Sequence, residues 1–587
     1  MHAPSGRNTV GGSPVAIDRR DIVALGAAAR AAQADQNVLC SPPDFPAAIP
    51  LGNSSYKDWS LALQVSNLWT AIPHGAQDVV VLANWARAHG YKLRAIGHSH
   101  NLSPFLVPNG TDPCAKVLLV DTRQLKGPPR FQLRNGQPTA TFGTGTTVEE
   151  ATLYLESLDN QGTGAAPGYT FQNMTAPGQL TLGGVLAIGA HGTGVPWKIQ
   201  EPNLNGCMSN LIVSFKAVVT DPTAADPNEY GLKEFNREDA DASAFLVHLG
   251  RAFLTEVTLR VIPNYYLQVA NWYPSADVLF QEPGALLSPQ VLASLLDDYG
   301  RIEVIWFPFT SNPWVKTWEL KDHQLQPQVP GPYNYPWANT ISSFENELIK
   351  MALFADPAVT PALSWGLLAA ARLEASEGNR MNGTARDLLL YVQDSTVRAT
   401  ACGYAVQIRR DQVQEVMHAF YVQYSAMLSR YQEMGRYPVN GPVTLRFTTV
   451  DLVQDLGVPD AVAPALSASH SIDPADRAMD TVAWIDIVTI PGTKYSDAFF
   501  AEFEDWMKSQ WGEADSDRMR PEWSKGWAYT EARGAWSNRD ILTRDIPAHY
   551  NQSSGTKTFD WARTTLAKYD TSNLYTNAFL DMLLPGS

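Results

Sequence analysis

Cysteine is scarce in this chain of 587 residues, where only Cys40, Cys114, Cys207 and Cys402 occur. No two of them have CxxC or CxxxC spacing, so the sequence indicates neither a zinc site nor a redox dithiol. Their even number permits disulfides without requiring them. No apolar run reaches the roughly 18 residues of a membrane-spanning helix. We therefore expect a soluble chain that contacts a membrane only transiently.

Positive charge is also in short supply, because 44 Lys and Arg residues face 59 Asp and Glu residues and the formal net charge is -15. An acidic surface repels nucleic acid and anionic lipid. The sequence therefore argues against a nucleic-acid partner and favours a neutral substrate. It implies no protein partner and no metal.

A third absence is the Rossmann-type dinucleotide fingerprint, since Gly143-Thr144-Gly145 is not followed by the third glycine of GxGxxG. The chain is nevertheless longer than one hydrophobic core usually supports, which predicts two or more domains. Its 17 Trp, 22 Tyr and 21 Phe residues indicate a folded protein with an apolar pocket.

The first 55 residues are rich in Pro, Gly, Ser and Ala, and we interpret them as an extension over the domain surface. Within them, Asp18–Ala29 resembles a shortened twin-arginine export signal. An ordinary exposed helix is the alternative interpretation. On this basis we expect a secreted or periplasmic bacterial protein.

The most informative segment is a predicted strand followed by a Gly-His-Ser-His-Asn turn. Such a turn brings several backbone amides and an imidazole to one point, which suits a cofactor diphosphate and a covalent tether. A His-x-His metal pair or a polar loop is the alternative. The candidate cofactor-binding residues of this histidine turn and its strand are Ala95, Ile96, Gly97, His98, Ser99, His100 and Asn101.

A second candidate cofactor site is the glycine-rich stretch at 176–194. Its glycines bracket a helix of small residues, so the backbone can approach a bulky planar ligand without an intervening side chain. A glycine-rich packed helix that binds no ligand is the alternative. The candidate cofactor contacts of this stretch are Gly178, Thr181, Gly183, Gly184, Gly189, His191 and Gly194.

Short β-branched segments predict strands at 116–121, 139–145 and 253–263. Thr147–Leu158 is predicted as a helix, because two carboxylates lie in its first turn. From about 264 onward aromatic residues become frequent, and long helices are predicted near 341–376 and 410–434. This part has the pattern of an α/β substrate domain.

Together, the histidine turn, the Pro-Gly, Gly-Gly and His-Gly pairs of the glycine-rich stretch and the strand at 253–263 resemble the FAD domain of the vanillyl-alcohol oxidase flavoprotein superfamily. The resemblance implies that FAD is bound covalently through His98 and that Val257 belongs to the cofactor site. It also implies that the covalent bond raises the reduction potential of the flavin.

The same resemblance implies an α+β fold, in which an α/β substrate-binding domain covers the flavin of a two-part FAD-binding domain. We expect an N-terminal extension at 1–55, the FAD-binding domain at 56–263, the substrate-binding domain at 264–545 and a C-terminal return to the FAD domain at 546–587.

Within the superfamily, the segments 301–309, 439–446, 484–493 and 520–525 are similar to the covalent-flavin, second-class cholesterol oxidases. This similarity implies oxidation of a 3β-hydroxysterol to the 3-ketone, isomerisation of its double bond and reduction of dioxygen to hydrogen peroxide. An alditol or sugar-lactone oxidase is the first alternative, although its pocket would need hydroxyl partners rather than aromatic rings. A secreted binding protein without redox activity is the second.

Oxidation of an alcohol requires a group that takes the hydroxyl proton within about 3 Å of the oxygen. Glu303 is the first candidate, because strand alternation places it on one face with Arg301 and Ile305, beside aromatic residues. A weak surface ion pair between Glu303 and Arg301 is the alternative. For isomerisation of the double bond, Glu303 and Glu531 are the candidates.

Arg446 lies in an apolar strand, where an unpaired guanidinium is costly, so a carboxylate partner or the flavin should lie beside it. The resemblance implies that Arg446 belongs to a gate for dioxygen. Two residues before it stands Thr444, so the partner is expected among Glu303, Asp486 and Glu531. Lys525 is a candidate for positive charge near flavin N1, with a solvated lysine as the alternative.

Overall fold

The computed structural model describes residues 40–197, 203–284, 287–333, 343–392, 398–472, 478–512, 518–552 and 558–586. The segment Asp18–Ala29, which resembles an export signal, lies outside these ranges. The chain divides into two compact units, Met1–Phe45 and Pro46–Ser587. The first unit is described only at 40–45, and the elements below belong to the second.

The N-terminal part of the second unit, up to residue 263, contains two main sheets. The first has the order β1-β2-β4-β3, with β4 parallel to both neighbours, and the second has the antiparallel order β5-β6-β10-β8-β9. The strands are β1 (Leu51–Lys57), β2 (Gln64–Ala71), β3 (Lys92–Ile96), β4 (Val117–Asp121), β5 (Arg130–Arg134), β6 (Gln137–Gly143), β7 (Tyr169–Thr170), β8 (Ile212–Thr220), β9 (Tyr230–Asn236), β10 (Leu254–Arg260) and β11 (Ile262–Pro263).

The C-terminal part contains one large sheet of the order β15-β12-β14-β13-β17-β18-β16-β19. Its strands are β12 (Tyr266–Trp272), β13 (Arg301–Trp306), β14 (Trp314–Lys321), β15 (Arg380–Thr384), β16 (Thr400–Ile408), β17 (Val443–Thr449), β18 (Thr481–Thr489) and β19 (Met519–Pro521). All the described pairs in this sheet are antiparallel. The substrate domain, which was expected to be α/β, is therefore built on an antiparallel sheet, as in an α+β fold.

Helices flank these sheets. They are α1 (Ala76–His89), α2 (Val148–Glu156), α3 (Leu182–Ala187), α4 (Ala242–Leu246), α5 (Ala276–Leu279), α6 (Leu292–Tyr299), α7 (Ser343–Ala355), α8 (Thr360–Glu374), α9 (Ala385–Leu389), α10 (Val413–Glu433), α11 (Ser496–Trp511), α12 (Ile546–Asn551), α13 (Phe559–Lys568) and α14 (Ala578–Leu583). Short 3₁₀ segments lie at Thr122–Gln124, Met208–Leu211, Pro357–Val359, Arg410–Gln412 and Val453–Leu456, and a π-helical turn lies at Ile541–Asp545.

The predicted helix at Thr147–Leu158 is α2, and its start shows why it forms there. The Thr147 side chain accepts from the Glu150 backbone N–H, and the Glu150 side chain accepts from the Thr147 N–H. This reciprocal capping box satisfies two donors that a helix start leaves open. The helices predicted near 341–376 and 410–434 are α7, α8 and α10.

Among the described helices, none alone is long and apolar enough to cross a membrane. The segments Ile349–Ala355 and Pro357–Glu374 meet the length and composition criteria only together, and they are bent by 119° at the break between them.

The structure departs from the expected boundaries at the N-terminal end. Strand β1 begins at Leu51, so the first sheet starts inside the stretch interpreted as an extension. Near the C-terminus, the Asn577 side chain donates to the carbonyl of Phe105 at 3.0 Å, and the Tyr230 hydroxyl donates to Asp570 at 2.5 Å. The last helices therefore pack on the N-terminal part.

The cysteines fall into two classes. Cys40 and Cys114 are disulfide-bonded, whereas Cys207 and Cys402 are free thiols and buried. Disulfides form and persist in oxidising compartments. The two oxidised cysteines are thus compatible with export, and export itself stays a prediction.

Candidate active site

A cavity of about 360 Å³ lies between the N-terminal part and the large sheet. The histidine turn and the glycine-rich stretch line one side, and side chains from β17, β18 and the segment after β19 line the other. The predicted site residues that line it are Ala95, Ile96, Gly97, His98, Ser99, His100, Asn101, Thr181, Gly184, Gly189, His191, Arg446, Asp486 and Lys525. Tertiary structure thus joins segments that the sequence singled out separately.

The histidine turn is shaped by a close approach to the start of α3. A Cβ atom on Gly97 would lie only 2.2 Å from Thr181 Oγ1, so this position requires glycine. Ser99 adopts a left-handed backbone with φ of 56°, which is uncommon for a residue other than glycine. His98, between them, is half-buried in the cavity wall.

The turn is also tied to the segment that follows β19. The backbone N–H of Leu102 donates to the Ser524 carbonyl at 2.9 Å, and the Ser103 hydroxyl donates to the Lys525 carbonyl at 3.1 Å. These bonds hold the N-terminal wall of the cavity against the C-terminal wall. In the described part of the chain, no cluster of three or more His, Cys, Asp or Glu side chains is placed to hold a metal ion.

The glycine-rich stretch forms the rest of the N-terminal wall and places few side chains there. Gly189, just after α3, has φ of 62°, a conformation that glycine adopts without strain. His191 stacks on Trp484 of β18, with ring centroids 3.6 Å apart and an interplanar angle of 11°. The stretch is therefore fixed directly to the large sheet.

Four residues predicted to bind the cofactor do not line the cavity: Gly178, Gly183, Gly194 and Val257. A Cβ atom on Gly183 would lie 3.1 Å from the Thr144 side chain, and one on Gly194 would lie 2.9 Å from Asn205 Oδ1. Val257 is fully buried in β10. In this structure these residues pack behind the wall rather than line the cavity, and contact with the cofactor stays a prediction for them.

Three charged residues form a buried cluster that we call the charged triad: Lys316, Glu303 and Arg446. Glu303 and Arg446 face each other in the register of β13 and β17, with Arg446 Nη2 2.9 Å from Glu303 Oε1. On the other side, Lys316 Nζ lies 3.6 Å from Glu303 Oε2. Lys316 Nζ also contacts the faces of aromatic rings that include those of Trp314, Trp318, Tyr333 and Tyr391.

Two further carboxyl groups, Asp486 and Glu522, stand beside the triad, and we call them the acid pair. Arg446 Nη1 lies 3.8 Å from Asp486 Oδ2, and Lys525 Nζ lies 3.9 Å from the same atom. Lys525 Nζ is 3.2 Å from Glu522 Oε1, which is also 3.6 Å from His191 Nε2. Lys525 is therefore an ion-paired residue of the cavity wall rather than a solvated lysine.

A family model for the substrate-binding domain of cholesterol oxidase matches residues 275–585, which is more than half of the chain. The chain belongs to the cholesterol oxidase family. A second model, for an FAD-binding domain, matches residues 69–205. The two matches confirm three predictions: the flavoprotein superfamily, the α+β fold and the activity class of an FAD-dependent alcohol oxidase.

Solved structures agree with this family. A protein described as a solvent-stable cholesterol oxidase is 36% identical over 92% of this chain and 99% of its own, with a TM-score of 0.85. A crystal structure of cholesterol oxidase from Brevibacterium sterolicum is 31% identical over 93% of this chain and 99% of its own, with a TM-score of 0.86. No curated protein sequence matches the chain.

The N-terminal wall of the cavity fits FAD. Gly97, Gly184 and Gly189 line it, so a planar cofactor can lie against backbone there. A Cβ atom on Gly184 would meet no atom closer than Thr181 Oγ1 at 3.5 Å, which leaves space on the cavity side. The histidine turn and the glycine-rich stretch are therefore the residues that would hold FAD in this family member.

Glu303 does not occupy the position expected of a base. It is fully buried and does not line the cavity, because Arg446 lies in front of it. Burial alone would raise the pKa of Glu303, but Arg446 and Lys316 lower it below its usual value. The alternative of a surface ion pair with Arg301 is also wrong, because Arg301 and Glu303 are both buried and Arg301 Nη2 donates to the Gln172 carbonyl at 2.8 Å. Glu303 instead holds the Arg446 side chain in place through their ion pair.

Glu531 is exposed in a turn and does not line the cavity. The carboxylates that pair with Arg446 are Glu303 and Asp486, so Glu531 was a wrong candidate for that partner. The sequence interpretation also missed Lys316 and Glu522. Lys316 had a signal, because it stands two residues from Trp314 and from Trp318, and alternation puts the three on one face.

Proposed function

We propose that this cholesterol oxidase family member oxidises the 3β-hydroxyl group of a sterol such as cholesterol to the 3-ketone. The proposal includes isomerisation of the 5,6 double bond into conjugation and reduction of dioxygen to hydrogen peroxide. The observation that carries it is the cavity in which the histidine turn meets Arg446, Asp486 and Lys525. The names of the matched relatives, which are cholesterol oxidases, support a sterol as the substrate.

When bound, FAD supplies the hydride acceptor for alcohol oxidation. We propose His98 as its covalent attachment point, because His98 lies in the cavity wall on a turn that Gly97 and Thr181 fix in place. Burial alone would lower the pKa of Lys525, but Glu522 and Asp486 raise it. Lys525 therefore stays cationic and can stabilise negative charge that develops in the cavity.

The lining of the cavity favours a sterol over a sugar alcohol. Beside its charged residues, the wall opposite the proposed FAD wall includes the apolar side chains of Leu389, Val392, Trp484 and Val488. A polyol would lose hydrogen bonds to water along such a wall without gaining partners, whereas burial of a steroid skeleton is favourable.

The proposed reaction is tested by its products. The purified enzyme loaded with FAD should consume one dioxygen and form one hydrogen peroxide for each cholesterol oxidised, and the absorbance of a conjugated enone should appear. Xylitol and a sugar lactone are the matched comparison substrates. Faster turnover of either one, or accumulation of the unconjugated ketone only, would contradict the proposal.

We further propose that Arg446 controls access of dioxygen, as the family resemblance suggests. Its side chain is 18% exposed at the cavity and is anchored from behind by Glu303. A guanidinium held by one buried carboxylate and 3.8 Å from a second carboxyl group can move toward the second group and still have an oxygen that accepts its hydrogen bonds.

Replacing Arg446 with alanine should slow reoxidation of the reduced flavin by on the order of tenfold, about 1.4 kcal/mol, and change the sterol KM much less. The variant should fold, because Lys316 still neutralises Glu303. Stopped-flow mixing of reduced enzyme with buffers of different dioxygen content measures the effect, with Arg130→Ala, an exposed arginine, as control. Unchanged oxygen kinetics with a large rise in KM would make Arg446 a substrate contact instead.

A further inference from the structure

The acid pair places two buried carboxyl groups side by side in the cavity wall. Asp486 is 3% exposed and Glu522 is 6% exposed, and both line the cavity. Asp486 Oδ2 accepts from the Thr444 hydroxyl at 3.4 Å, and Glu522 Oε1 accepts from the Ser524 hydroxyl at 3.1 Å. The other two oxygens are Asp486 Oδ1 and Glu522 Oε2. In the described part of the chain, no N–H group and no hydroxyl group donates a hydrogen bond to either of them.

The side chains of Asp486 and Glu522 are hydrogen-bonded to each other, which requires a single proton shared between the two groups. Two carboxylates cannot donate to each other, so a hydrogen bond between them requires that one is protonated. Burial and the nearby Glu522 raise the pKa of Asp486 well above its usual value. Burial alone would raise the pKa of Glu522, but Lys525 and His191 hold it well below its usual value. At neutral pH the proton is on Asp486 and the negative charge is on Glu522.

We propose that the acid pair is the proton carrier that moves the 5,6 double bond of the substrate into conjugation with the 3-ketone. This inference rests on the proposed sterol reaction and assigns a step within it. A pair that always keeps one proton can accept a proton at one carbon and donate one at another. Neither an oxidant nor a reductant is needed.

The proposed isomerisation conserves protons and electrons within the substrate and the acid pair. Glu522 takes the proton from C4, and the electrons of that C–H bond form a dienolate with the 3-ketone. Asp486 then gives its proton to C6, where the electrons of the former C5–C6 double bond form the new C–H bond, and the double bond now joins C4 and C5. Transfer of the proton from Glu522 to Asp486 restores the starting pair. The positive charges of Lys525 and Arg446 favour the dienolate.

The other acidic candidates lack this arrangement. Glu303 is ion-paired to two cations and hidden behind Arg446. Glu531 is exposed away from the cavity. The titratable and charged groups that face the acid pair are Arg446, Lys525 and His191.

The decisive experiment supplies the unconjugated 5-ene-3-ketone directly to the FAD-loaded enzyme and follows enone absorbance, which separates isomerisation from oxidation. Glu522→Gln and Asp486→Asn should each slow isomerisation by roughly 10² to 10⁴, as expected when a general acid or base is lost. Each variant should still bind the ketone, measured as the shift of flavin absorbance. Glu531→Gln, an exposed carboxyl group outside the cavity, is the control and should isomerise normally.

Rates within a few-fold of wild type in either variant would overturn the role of the acid pair. If the wild type itself neither isomerises the ketone nor oxidises cholesterol, the proposed sterol function fails as well, so the two failures are distinguishable.

An infrared measurement on the wild type keeps the proposal falsifiable if a variant does not fold. At neutral pH the wild type should show the carbonyl band of a protonated carboxyl group, and this band should disappear only as the pH is raised, because burial and Glu522 raise the pKa of Asp486. The absence of that band would overturn the shared proton.

Discussion

Replacement of His98 with alanine should yield a folded enzyme whose flavin separates from the polypeptide when the protein is denatured. The wild type should keep its yellow colour in the acid-precipitated pellet. We expect the fold to survive because His98 is only half-buried, in a turn that Gly97 and Ser99 shape through the backbone. Turnover should also fall, since the superfamily resemblance implies that the covalent bond raises the reduction potential.

The matched controls for this prediction are the other two histidines of the cavity wall. His100 packs against Trp59 with ring centroids 4.1 Å apart and an interplanar angle of 44°, and His191 stacks on Trp484. Alanine at either position should leave the flavin attached to the denatured chain. A yellow pellet from His98→Ala would exclude His98 as the tether and move the assignment to His100 or His191.

Replacement of Glu303 with glutamine should destabilise the folded protein by roughly 3–5 kcal/mol, the usual cost of breaking a buried ion pair from one side. Lys316 is 1% exposed, and loss of Glu303 leaves its charge without the carboxylate 3.6 Å away. Urea unfolding of enzyme with equal flavin content measures the change. Glu319→Gln, in the neighbouring strand but partly exposed, is the control and should cost much less.

The pH dependence of this effect follows from Lys316. Burial lowers its pKa to about 8 from a usual value of 10.5, although Glu303 raises it. The unfolded chain therefore binds more protons between these values, and this group makes wild-type stability rise with pH there. Loss of Glu303 lowers the pKa of Lys316 further, so the stability of the variant should begin to rise at a lower pH. The difference in stability between the variant and the wild type should therefore become smaller as the pH rises toward 8.

A double variant checks the physical cause. Glu303→Gln combined with Lys316→Met removes both buried charges, and the apolar methionine suits the surrounding aromatic rings of Trp318 and Tyr391. Most of the lost stability should return, since replacing a buried ion pair by apolar groups is often neutral or stabilising. No recovery in the double variant would show that Glu303 stabilises the fold by some means other than neutralising Lys316.

The local features of the flavin site were predictable from the sequence because short-range chemistry determines them. Glycine followed by histidine marked the turn at Gly97 and His98, and glycine spacing marked the stretch that contains Gly184 and Gly189. Thr147 and Glu150 gave the start of α2 through contacts three residues apart. Gly178, Gly183 and Gly194 were predicted as direct cofactor contacts but do not line the cavity, because glycine spacing does not distinguish close protein packing from close approach to a ligand.

The residues of the C-terminal wall were only partly predictable. Strand alternation placed Glu303 on a face, but it did not reveal which strands lie beside β13. The pairing of β13 with β17 and of β17 with β18 brings Arg446 opposite Glu303 and Asp486 opposite Thr444. The adjacent strand β14 adds Lys316. Side chains far apart in the chain thus become one buried network.

The sequence by itself determined the superfamily, the histidine turn and the glycine-rich stretch, since each of them depends on neighbouring residues and on backbone conformations that few residue types adopt. Only the tertiary structure decided that Glu303 is hidden behind Arg446, that Lys316 neutralises it and that Glu522 stands beside Asp486. The physical reason is that burial and charge pairing determine the proton affinity of a carboxyl group, and both arise from long-range strand pairing.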